Sequence, residues 1–455
     1  MRTYRTMCCV IAAVLWPCLF LSACAGQQNH ANPGDTTCDG KIEGANGANG
    51  ATPTFITVWF HTGQPAERQA LGRQVAAFNV AQQQVKVKLI DIPEAGYADQ
   101  VRSAAASGNL PDLLDFDGPN LYNYAWSGKL KPLDSCVSKS LRADLLPSIV
   151  QQGTYAGRMW GIGTFDSGLG LYIRPSILRR VGARIPNGIA DAWTASEFTG
   201  ILHRLQRAGY RQPLDLQITS TTLAAAPEWW TYGFAPIVWS AGGDLIDRAT
   251  YRTAQGVLNR PAAIRALTIM QSWFRDGLVN PNVSDSFLRG AAPVSWVGHW
   301  LYGSYHAAFP HDLGIVPLPR FGARPSTGMG SWQWGITSNA TDGDAVWRFL
   351  SYLLQPAQVL QMTQANGAIP ATLSAIRRSP NFAAGGAEHI YVQQLQDGIA
   401  RPRPQTPAYP AVTAAFAAAL AGISQGQDVR KALDAAVREI DGNLAANHYY
   451  RASEP

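Results

Sequence analysis

Tryptophans beside acidic, amide or glycine residues are the part of this sequence best suited to binding chemistry. Fourteen tryptophans occur in 455 residues, and three clusters of aromatic and polar residues lie at 228–232, 296–302 and 331–334. A pyranose ring has apolar C–H faces edged by hydroxyl groups, so its site stacks aromatic faces on the ring and places polar groups at the rim. Apolar walls with a few polar groups are also the usual form of a ligand pocket. The clusters predict a sugar site, and the alternative is that these tryptophans fill the core.

Asp115 and Asp117 stand two residues apart, and two carboxyl groups facing one cleft are the acid/base pair of a glycoside hydrolase. Residues at i and i+2 share a face only within a strand, however, and no hydrolase signature accompanies the pair. The His-Glu-x-x-His motif, the Walker loop and a Gly-x-Gly-x-x-Gly motif are all absent. We therefore expect no enzymatic activity, with a secreted carbohydrate-active enzyme as the alternative.

Histidine and charge patterns argue against a metal, a cofactor and a nucleic acid. His299, His306 and His311 form the closest histidine grouping, and they do not fall at metal-ligand spacing. The net charge of +6 comes from scattered basic residues, without a Lys/Arg stripe and interleaved aromatic residues. We expect no metal, no cofactor and no nucleic-acid partner.

The N-terminus has the pattern of an export signal. Arg2 and Arg5 precede a short apolar run, and small residues lead to Cys24. This pattern predicts a signal peptide over 1–23, because the run is shorter than the about 20 residues of a transmembrane helix. The Leu-Ser-Ala-Cys sequence resembles the bacterial lipobox, which implies that Cys24 carries a lipid as the only membrane attachment. An ordinary secretory signal is the alternative.

Residues 24–53 are rich in Gly, Asn, Ala and Thr, which bury little surface, so they are predicted to form a flexible tether. Cys38 and Cys136 remain once the signal-peptide cysteines and the lipidated cysteine are set aside. A remaining pair in an exported protein is a disulfide candidate. Two free thiols are the alternative, since pairing geometry cannot be read from sequence.

Strand and helix patterns alternate from residue 55 to residue 127, which predicts a parallel sheet covered by helices. In such sheets the ligand lies beyond the carboxyl ends of the strands, where His61, Gln64, Asp115 and Asp117 are expected. An apolar stripe over 429–444 predicts a final core helix. About 400 residues follow the tether, more than one core usually serves, so two α/β lobes are expected.

Several segments resemble the extracellular solute-binding proteins of sugar ABC importers, the maltose-binding-like family. The likeness runs in order from about residue 55 to residue 447, with Gly163 where proline is usual in the family. The segments that carry it are 155–163, 171–174, 347–358, 366–372 and 400–409.

The resemblance implies a two-lobed periplasmic-binding-protein fold of type II, with a hinge and a ligand cleft between the lobes. Its three crossings would fall near Phe165, Trp334 and Leu373. The lobes implied are 54–164 plus 335–372 for lobe one, and 165–334 plus 373–455 for lobe two.

The resemblance also implies the ligand-binding residues. Trp300 matches the tryptophan of the family's Gly-Pro-Trp turn, although His299 replaces the proline, and Arg403 matches an arginine that faces the sugar in trehalose-binding relatives. The full implied set is His61, Gln64, Asp115, Asp117, Phe165, Asp166, Trp229, Trp230, Trp300, Trp332, Trp334 and Arg403.

These features together predict a monomeric, lipid-anchored protein on the extracytoplasmic face of the membrane. We expect it to capture a mono- to oligosaccharide and to deliver it to the permease of an ABC importer. A glycerophosphodiester is the alternative ligand. A phosphate group is bound by cationic side chains or amide donors. Tryptophan-rich loops with Asp115, Asp117 and Asp166 favour a neutral polyol instead.

Overall fold

The computed structural model describes residues 37–40, 52–93, 96–218, 228–283 and 285–451. The predicted signal peptide and Cys24 lie outside these residues. The strands within them are β1 (Thr54–His61), β2 (Val85–Ile92), β3 (Leu113–Asp117), β4 (Thr154–Tyr155), β5 (Arg158–Met159), β6 (Phe165–Asp166), β7 (Leu169–Ile173), β8 (Leu214–Asp215), β9 (Val294–Gly298), β10 (Gly314–Val316), β11 (Thr327–Met329), β12 (Trp332–Ile336), β13 (Ile369–Pro370) and β14 (Ala400–Pro402).

Helices surround these strands along the whole described chain. The α-helices are α1 (Pro65–Ala81), α2 (Tyr97–Ser107), α3 (Leu121–Trp126), α4 (Lys139–Asp144), α5 (Pro147–Gln152), α6 (Pro175–Arg180), α7 (Ala195–Arg207), α8 (Glu228–Ser240), α9 (Pro261–Arg275), α10 (Tyr302–Ala308), α11 (Gly343–Leu353), α12 (Pro356–Asn366), α13 (Leu373–Arg378), α14 (His389–Gln396), α15 (Tyr409–Ser424) and α16 (Val429–Ala446). Short 3₁₀ turns lie at Gly118–Asn120, Ile189–Asp191, His299–Leu301 and His448–Tyr450. None of the helices in the described part of the chain is long and apolar enough to cross a membrane.

The first lobe is built on a four-stranded sheet of order β12-β3-β1-β2. β1 pairs in parallel with β2 and β3, as the alternating pattern predicts, and β12 adds an antiparallel edge from far along the chain. Ile56, Val58 and Phe60 alternate toward the core because successive side chains of a strand point to opposite faces. The carboxyl ends of β1 and β3 therefore lie at one edge of the sheet.

The second lobe has its own sheet, of order β10-β7-β9-β8. β9 lies between β7, to which it is antiparallel, and β8, to which it is parallel. Trp193, Trp273 and Trp296 are fully buried in its core, together with apolar faces of α15 and α16. α16 forms where the apolar stripe predicts it, and its N-cap Asp428 accepts a hydrogen bond from the amide of Lys431 at 2.9 Å.

Two small sheets join the chain segments that run between the lobes. β6 pairs with β13, next to the predicted first crossing at Phe165. β11 pairs in parallel with β14, so two further crossing segments lie side by side. Trp334 already belongs to the first-lobe sheet within β12, so the second crossing comes slightly earlier than predicted.

The predicted third crossing at Leu373 is wrong in this structure. α13 and α14 pack on the first-lobe core through Ile376, Tyr391 and Val392. The chain reaches the second core only after β14, at Ala408 and beyond. An apolar helix stripe shows that a segment is buried but not in which of two cores, so the sequence pattern could not place these helices.

The predicted flexible tether is also interrupted. Cys38 and Cys136 form a disulfide with their Cα atoms 5.2 Å apart. The amide of Cys38 donates to the Ser135 hydroxyl at 3.0 Å, and the amide of Asp39 donates to Asp344 at 2.9 Å. Residues 37–40 are therefore docked on the first lobe beside the start of α11.

Candidate functional site

The carboxyl ends of β1 and β3 bring His61 and Asp115 together, as the parallel sheet predicts. Nδ1 of His61 lies 2.5 Å from Oδ2 of Asp115, and both side chains are buried. Burial raises the pKa of Asp115 to about 6, and the adjacent His61 opposes that rise. The imidazole stacks on the indole of Trp332 with ring centroids 3.4 Å apart, and Tyr97 meets both rings edge-on. Trp332 itself remains half-buried.

Gln64 marks the start of α1 at the same edge of the sheet. It is the N-cap of α1, and Glu67 completes a capping box with it. The amide nitrogen of Gln64 donates to the carbonyl of Asn366 at 3.4 Å, and Asn366 donates to Glu67 at 3.1 Å. Gln64 is therefore held beside the turn that ends α12.

Arg403 lies where the chain leaves β14, between a carboxylate of each lobe. Its guanidinium donates twice to Asp117, at the end of β3, with both distances 2.7 Å. It also donates to Glu228, the first residue of α8, at 2.5 Å. Arg403 is only 4 % exposed, and its guanidinium lies 4.9 Å from the ring centroid of Tyr232. Burial raises the pKa of Glu228, which Arg403 opposes.

Asp166 is fully buried at the junction of the crossing segments. It accepts hydrogen bonds from the amides of Ser167 at 2.7 Å and Gly330 at 2.9 Å, and from Gln152 at 3.3 Å. Burial raises the pKa of Asp166, and these donors oppose the rise. Gly330 has φ of 115°, and a Cβ there would lie only 2.6 Å from Oε1 of Gln152, so the backbone conformation and this close approach both favour glycine.

Aromatic residues of the second lobe face the crossings. Trp300 follows β9, is half-buried, and lies edge-on to Trp229 with ring centroids 5.9 Å apart. Tyr232 lies 6.3 Å from Trp300. Trp230 is half-buried one residue beyond Trp229. The indole nitrogen of Trp300 is buried and has no hydrogen-bond partner among the described residues.

We call these residues together the junction site, because they lie at the carboxyl end of the first-lobe sheet, on the crossing segments, on α8 and in the turn after β9. Arg403 contacts the first lobe through Asp117 and the second lobe through Glu228 and Tyr232. A small cavity beneath Arg403 is lined by Tyr122, Gln152 and Met329 among others. The members of the junction site are His61, Asp115, Asp117, Asp166, Glu228, Trp230, Tyr232, Trp300, Trp332 and Arg403.

Three predicted site residues lie in the cores instead. Trp334 is 4 % exposed and stacks on Phe60 in the first-lobe core. Phe165 belongs to the same core, and Trp229 is buried in the second one, where its indole nitrogen donates to the carbonyl of Leu216. Trp334 shares a face of β12 with Trp332 but lies further into the sheet, opposite Asp115, where it packs on Phe60, whereas Trp332 lies at the sheet edge opposite Asp117.

Glu228, Tyr232 and Ser167 were missed by the sequence analysis. Glu228 and Tyr232 stand inside the tryptophan cluster at 228–232, so the cluster was the available signal. Ser167 follows Asp166 directly, and nothing in its sequence context distinguishes it.

The described residues do not form a hydrolase carboxylate pair, a serine nucleophile site or a metal site. Asp115 is bound to His61 and Asp117 to Arg403, so the two carboxylates are engaged separately. Residues 422–426 match the Gly-x-Ser-x-Gly pattern but do not form the nucleophile elbow of that motif. Ser424 ends α15 and donates to the carbonyl of Ala421, whereas the nucleophile of that motif sits on a strand-to-helix turn. No group of three metal-ligating side chains occurs in the described ranges.

Comparisons with known proteins agree with this architecture. The galactooligosaccharide-binding protein of Bacillus subtilis (strain 168) is 21 % identical over 389 residues, covering 82 % of this chain and 86 % of that protein. The cyclic alpha-maltosyl-1,6-maltose binding protein of Arthrobacter globiformis superposes with a TM-score of 0.71 at 23 % identity, covering 87 % of this chain and 100 % of that one. The GacH receptor of Streptomyces glaucescens gives 0.72 at 19 % identity, covering 88 % and 98 %.

These structural neighbours confirm the predicted two-lobed, maltose-binding-like α/β fold. The family model described as "Bacterial extracellular solute-binding protein" matches residues 73–387, more than half of the sequence. The chain belongs to the bacterial extracellular solute-binding protein family.

Proposed function

We propose that this protein binds a sugar at the junction site, between its two lobes, and delivers it to the permease of an ABC importer. One observation carries the proposal. Arg403 binds a carboxylate of each lobe, and a half-buried indole lies near each side: Trp332 is the cross-strand neighbour of Asp117, and Trp300 lies beside Tyr232 under the guanidinium. Aromatic faces with charged hydrogen-bonding groups between them match the alternating apolar and hydroxyl surfaces of a sugar.

The charges of the junction site favour a neutral ligand. Its guanidinium is already bound to two carboxylates, Asp117 and Glu228, and Asp166 and Asp115 add further acidic groups. A phosphate or carboxylate ligand would have to displace these partners or approach like charges in a partly dry site, which is unfavourable. A sugar supplies hydroxyl donors that the acidic groups accept. This argues against the glycerophosphodiester alternative.

The relatives point to oligosaccharides. By their names, they bind a galactooligosaccharide or cyclic alpha-maltosyl-1,6-maltose, and the GacH receptor was crystallised with acarbose. We propose that this protein also binds an oligosaccharide, and we assign none of these individual ligands to it. Two stacking surfaces in one site are consistent with more than one sugar ring.

Ligand capture follows from lobe closure in this proposal. The paired crossing segments β6–β13 and β11–β14 form the hinge, and the lobes close because a bound sugar contacts both of them only in the closed form. The closed form is the one that the permease recognises. The protein has no catalytic step and acts as a monomer.

The protein is held at the extracytoplasmic face of the membrane by a lipid on Cys24. The Cys38–Cys136 disulfide and the docking of residues 37–40 fix the chain to the first lobe a short distance in sequence after Cys24.

A titration of the mature protein with neutral sugars tests the proposal. Isothermal calorimetry with galactobiose, galactotriose, maltose and maltotriose should detect binding to the wild type, and glycerophosphocholine should give none. Trp300→Ala should bind weakly, whereas Phe55→Ser, at an exposed aromatic residue on the opposite end of β1, should bind normally. Binding of glycerophosphocholine in place of every sugar would overturn the proposal.

A further inference from the structure

His299 occupies the position where the family resemblance implies proline, in the turn between β9 and α10. Its side chain is only 4 % exposed. Nε2 lies 3.0 Å from the hydroxyl of Ser167, while Nδ1 is buried without a hydrogen-bond partner among the described residues. An imidazole in such a place cannot carry a proton on both nitrogens without leaving a buried charge unpaired.

A chain of hydrogen bonds connects His299 to the junction site. The hydroxyl of Tyr232 donates to Ser167 Oγ at 2.9 Å, which leaves the serine proton to face Nε2 of His299. Tyr232 in turn lies under the guanidinium of Arg403 and beside Trp300. His299 therefore holds the orientation of Ser167 and Tyr232, both of which adjoin the sugar site.

Groups of the first lobe cover His299 in this structure. Gly367, at the end of α12, packs so closely that a Cβ there would lie 3.2 Å from the His299 carbonyl oxygen. The ring of Tyr391, on α14, meets the imidazole edge-on with ring centroids 6.3 Å apart. Separation of the lobes removes this cover and exposes the imidazole to water.

The titratable groups around the imidazole provide no counter-charge in contact with Nδ1. They come from the crossing, from β7, from α8 and from α14. These groups are Asp166 beside Ser167, Tyr172, Tyr232, Glu388 and Tyr391. Asp166 is already satisfied by three donors, and Glu388 accepts from Asn381 at 2.9 Å.

We propose that His299 is a positioning residue of the sugar site and must be neutral for the lobes to close on the ligand. This inference rests on the proposed function. Sugar binding then releases a proton from any molecule whose His299 was protonated in the open form. The affinity consequently depends on pH through a residue that does not contact the sugar.

The direction and size of this dependence follow from linkage. Burial lowers the pKa of His299 to about 3 in this structure, although the backbone of Gly367 opposes the fall, against about 6.5 for an exposed histidine. Closure is therefore unhindered above pH 7 and is progressively lost as the pH falls below 6.5. Relative to pH 8, the affinity should fall about fourfold at pH 6 and about thirtyfold at pH 5.

The test compares pH profiles of sugar affinity for matched variants. His299→Gln keeps an amide within reach of Ser167 but does not titrate, and His299→Leu loses both properties. His306→Gln, at an exposed histidine of α10, is the control. The probes are galactotriose and maltotriose, titrated calorimetrically at pH 5, 6, 7 and 8. Contributions of Asp115, Asp166 and Glu228 are common to all four proteins.

For the wild type and His306→Gln, the sugar affinity should fall about fourfold at pH 6 and about thirtyfold at pH 5, relative to pH 8. These losses are in addition to any pH dependence that His299→Gln shows. His299→Gln should bind within about threefold of the wild type at pH 8, and His299→Leu should bind at least tenfold more weakly. Calorimetry at pH 6 in buffers of different ionisation enthalpy should detect release of about three quarters of a proton by the wild type and by His306→Gln, a release that is absent from both His299 variants. Identical pH profiles for the wild type and His299→Gln overturn the inference while the proposed function stands. A wild type that binds neither sugar at pH 8 contradicts the proposed function itself.

Discussion

Arg403 holds Asp117 through two parallel hydrogen bonds of 2.7 Å each, which fixes a crossing segment to the end of β3. A third bond, to Glu228, ties the same guanidinium to the second lobe. This fork geometry is specific to arginine, because a lysine ammonium cannot bind a carboxylate in the same bidentate manner. The arrangement makes Arg403 both a structural link and the centre of the junction site.

Replacing Arg403 should destabilise the protein strongly. Arg403→Ala takes the guanidinium away from the partly buried Asp117 and Glu228, and only the hydroxyl groups of Tyr409 and Thr413 still donate to Glu228. This should cost about 3 kcal/mol of unfolding free energy. Arg403→Lys should recover less than half of this loss. Urea denaturation followed by circular dichroism measures both. Equal stability of Arg403→Ala and the wild type would show that the ion cluster is not a structural element.

Removing the indole of Trp332 should weaken sugar binding more than it affects folding. Trp332 is half-buried and stacks on His61, so Trp332→Ala removes one face of the proposed site. We expect an affinity loss of about tenfold or more, equivalent to ~1.4 kcal/mol. Trp332→Phe should restore part of it. Calorimetric titration with maltotriose gives the values, and an unchanged affinity of Trp332→Ala would place the sugar elsewhere.

Loss of the disulfide should reduce stability without changing the ligand affinity. Cys38 and Cys136 are separated by 98 residues in sequence, and a loop of this size is associated with about 2–5 kcal/mol. Cys38→Ser with Cys136→Ser should therefore lower the denaturation midpoint. Sugar affinity should stay within twofold, since the bond lies beside α11 and away from the junction site. A large affinity loss would contradict that separation.

Glu388 should make the protein less stable as the pH rises toward 8. Burial raises its pKa to about 8, so the folded state favours the protonated form. Its stabilising contribution is complete below the ordinary carboxyl pKa and is lost as the pH increases through about 8, with a slope of at most ~1.4 kcal/mol per pH unit. Glu388→Gln should remove this slope and be the more stable protein at pH 9. Denaturation curves from pH 5 to 9 give the unfolding free energy of both proteins at each pH. The same pH dependence in the wild type and Glu388→Gln would refute this role of Glu388.

Local patterns were enough to predict the elements that carry much of the junction site. The alternation of strands and helices correctly predicted a parallel sheet in this segment, and the pairing of β1 with β3 in that sheet places His61 against Asp115. The stripe at 429–444 likewise predicted α16. Both features depend on short-range periodicity, which is present in the sequence.

Features that depend on long-range packing could not be predicted in the same way. Trp332 and Trp334 stand two residues apart, yet one reaches the junction site and the other packs on Phe60, because the sheet edge falls between them. The ion cluster of Arg403 joins segments separated by 286 and 175 residues. The pairing of such partners is set by the folded lobes and has no local signal.

A crystal structure of the mature protein grown with maltotriose or galactotriose tests the central claim most directly. The account predicts one sugar chain between the lobes, with a ring against Trp332, contacts to Trp230 or Trp300 on the opposite side, and hydroxyl groups within hydrogen-bond distance of Asp117 or Glu228. A sugar bound to one lobe alone, or outside the junction site, would contradict it.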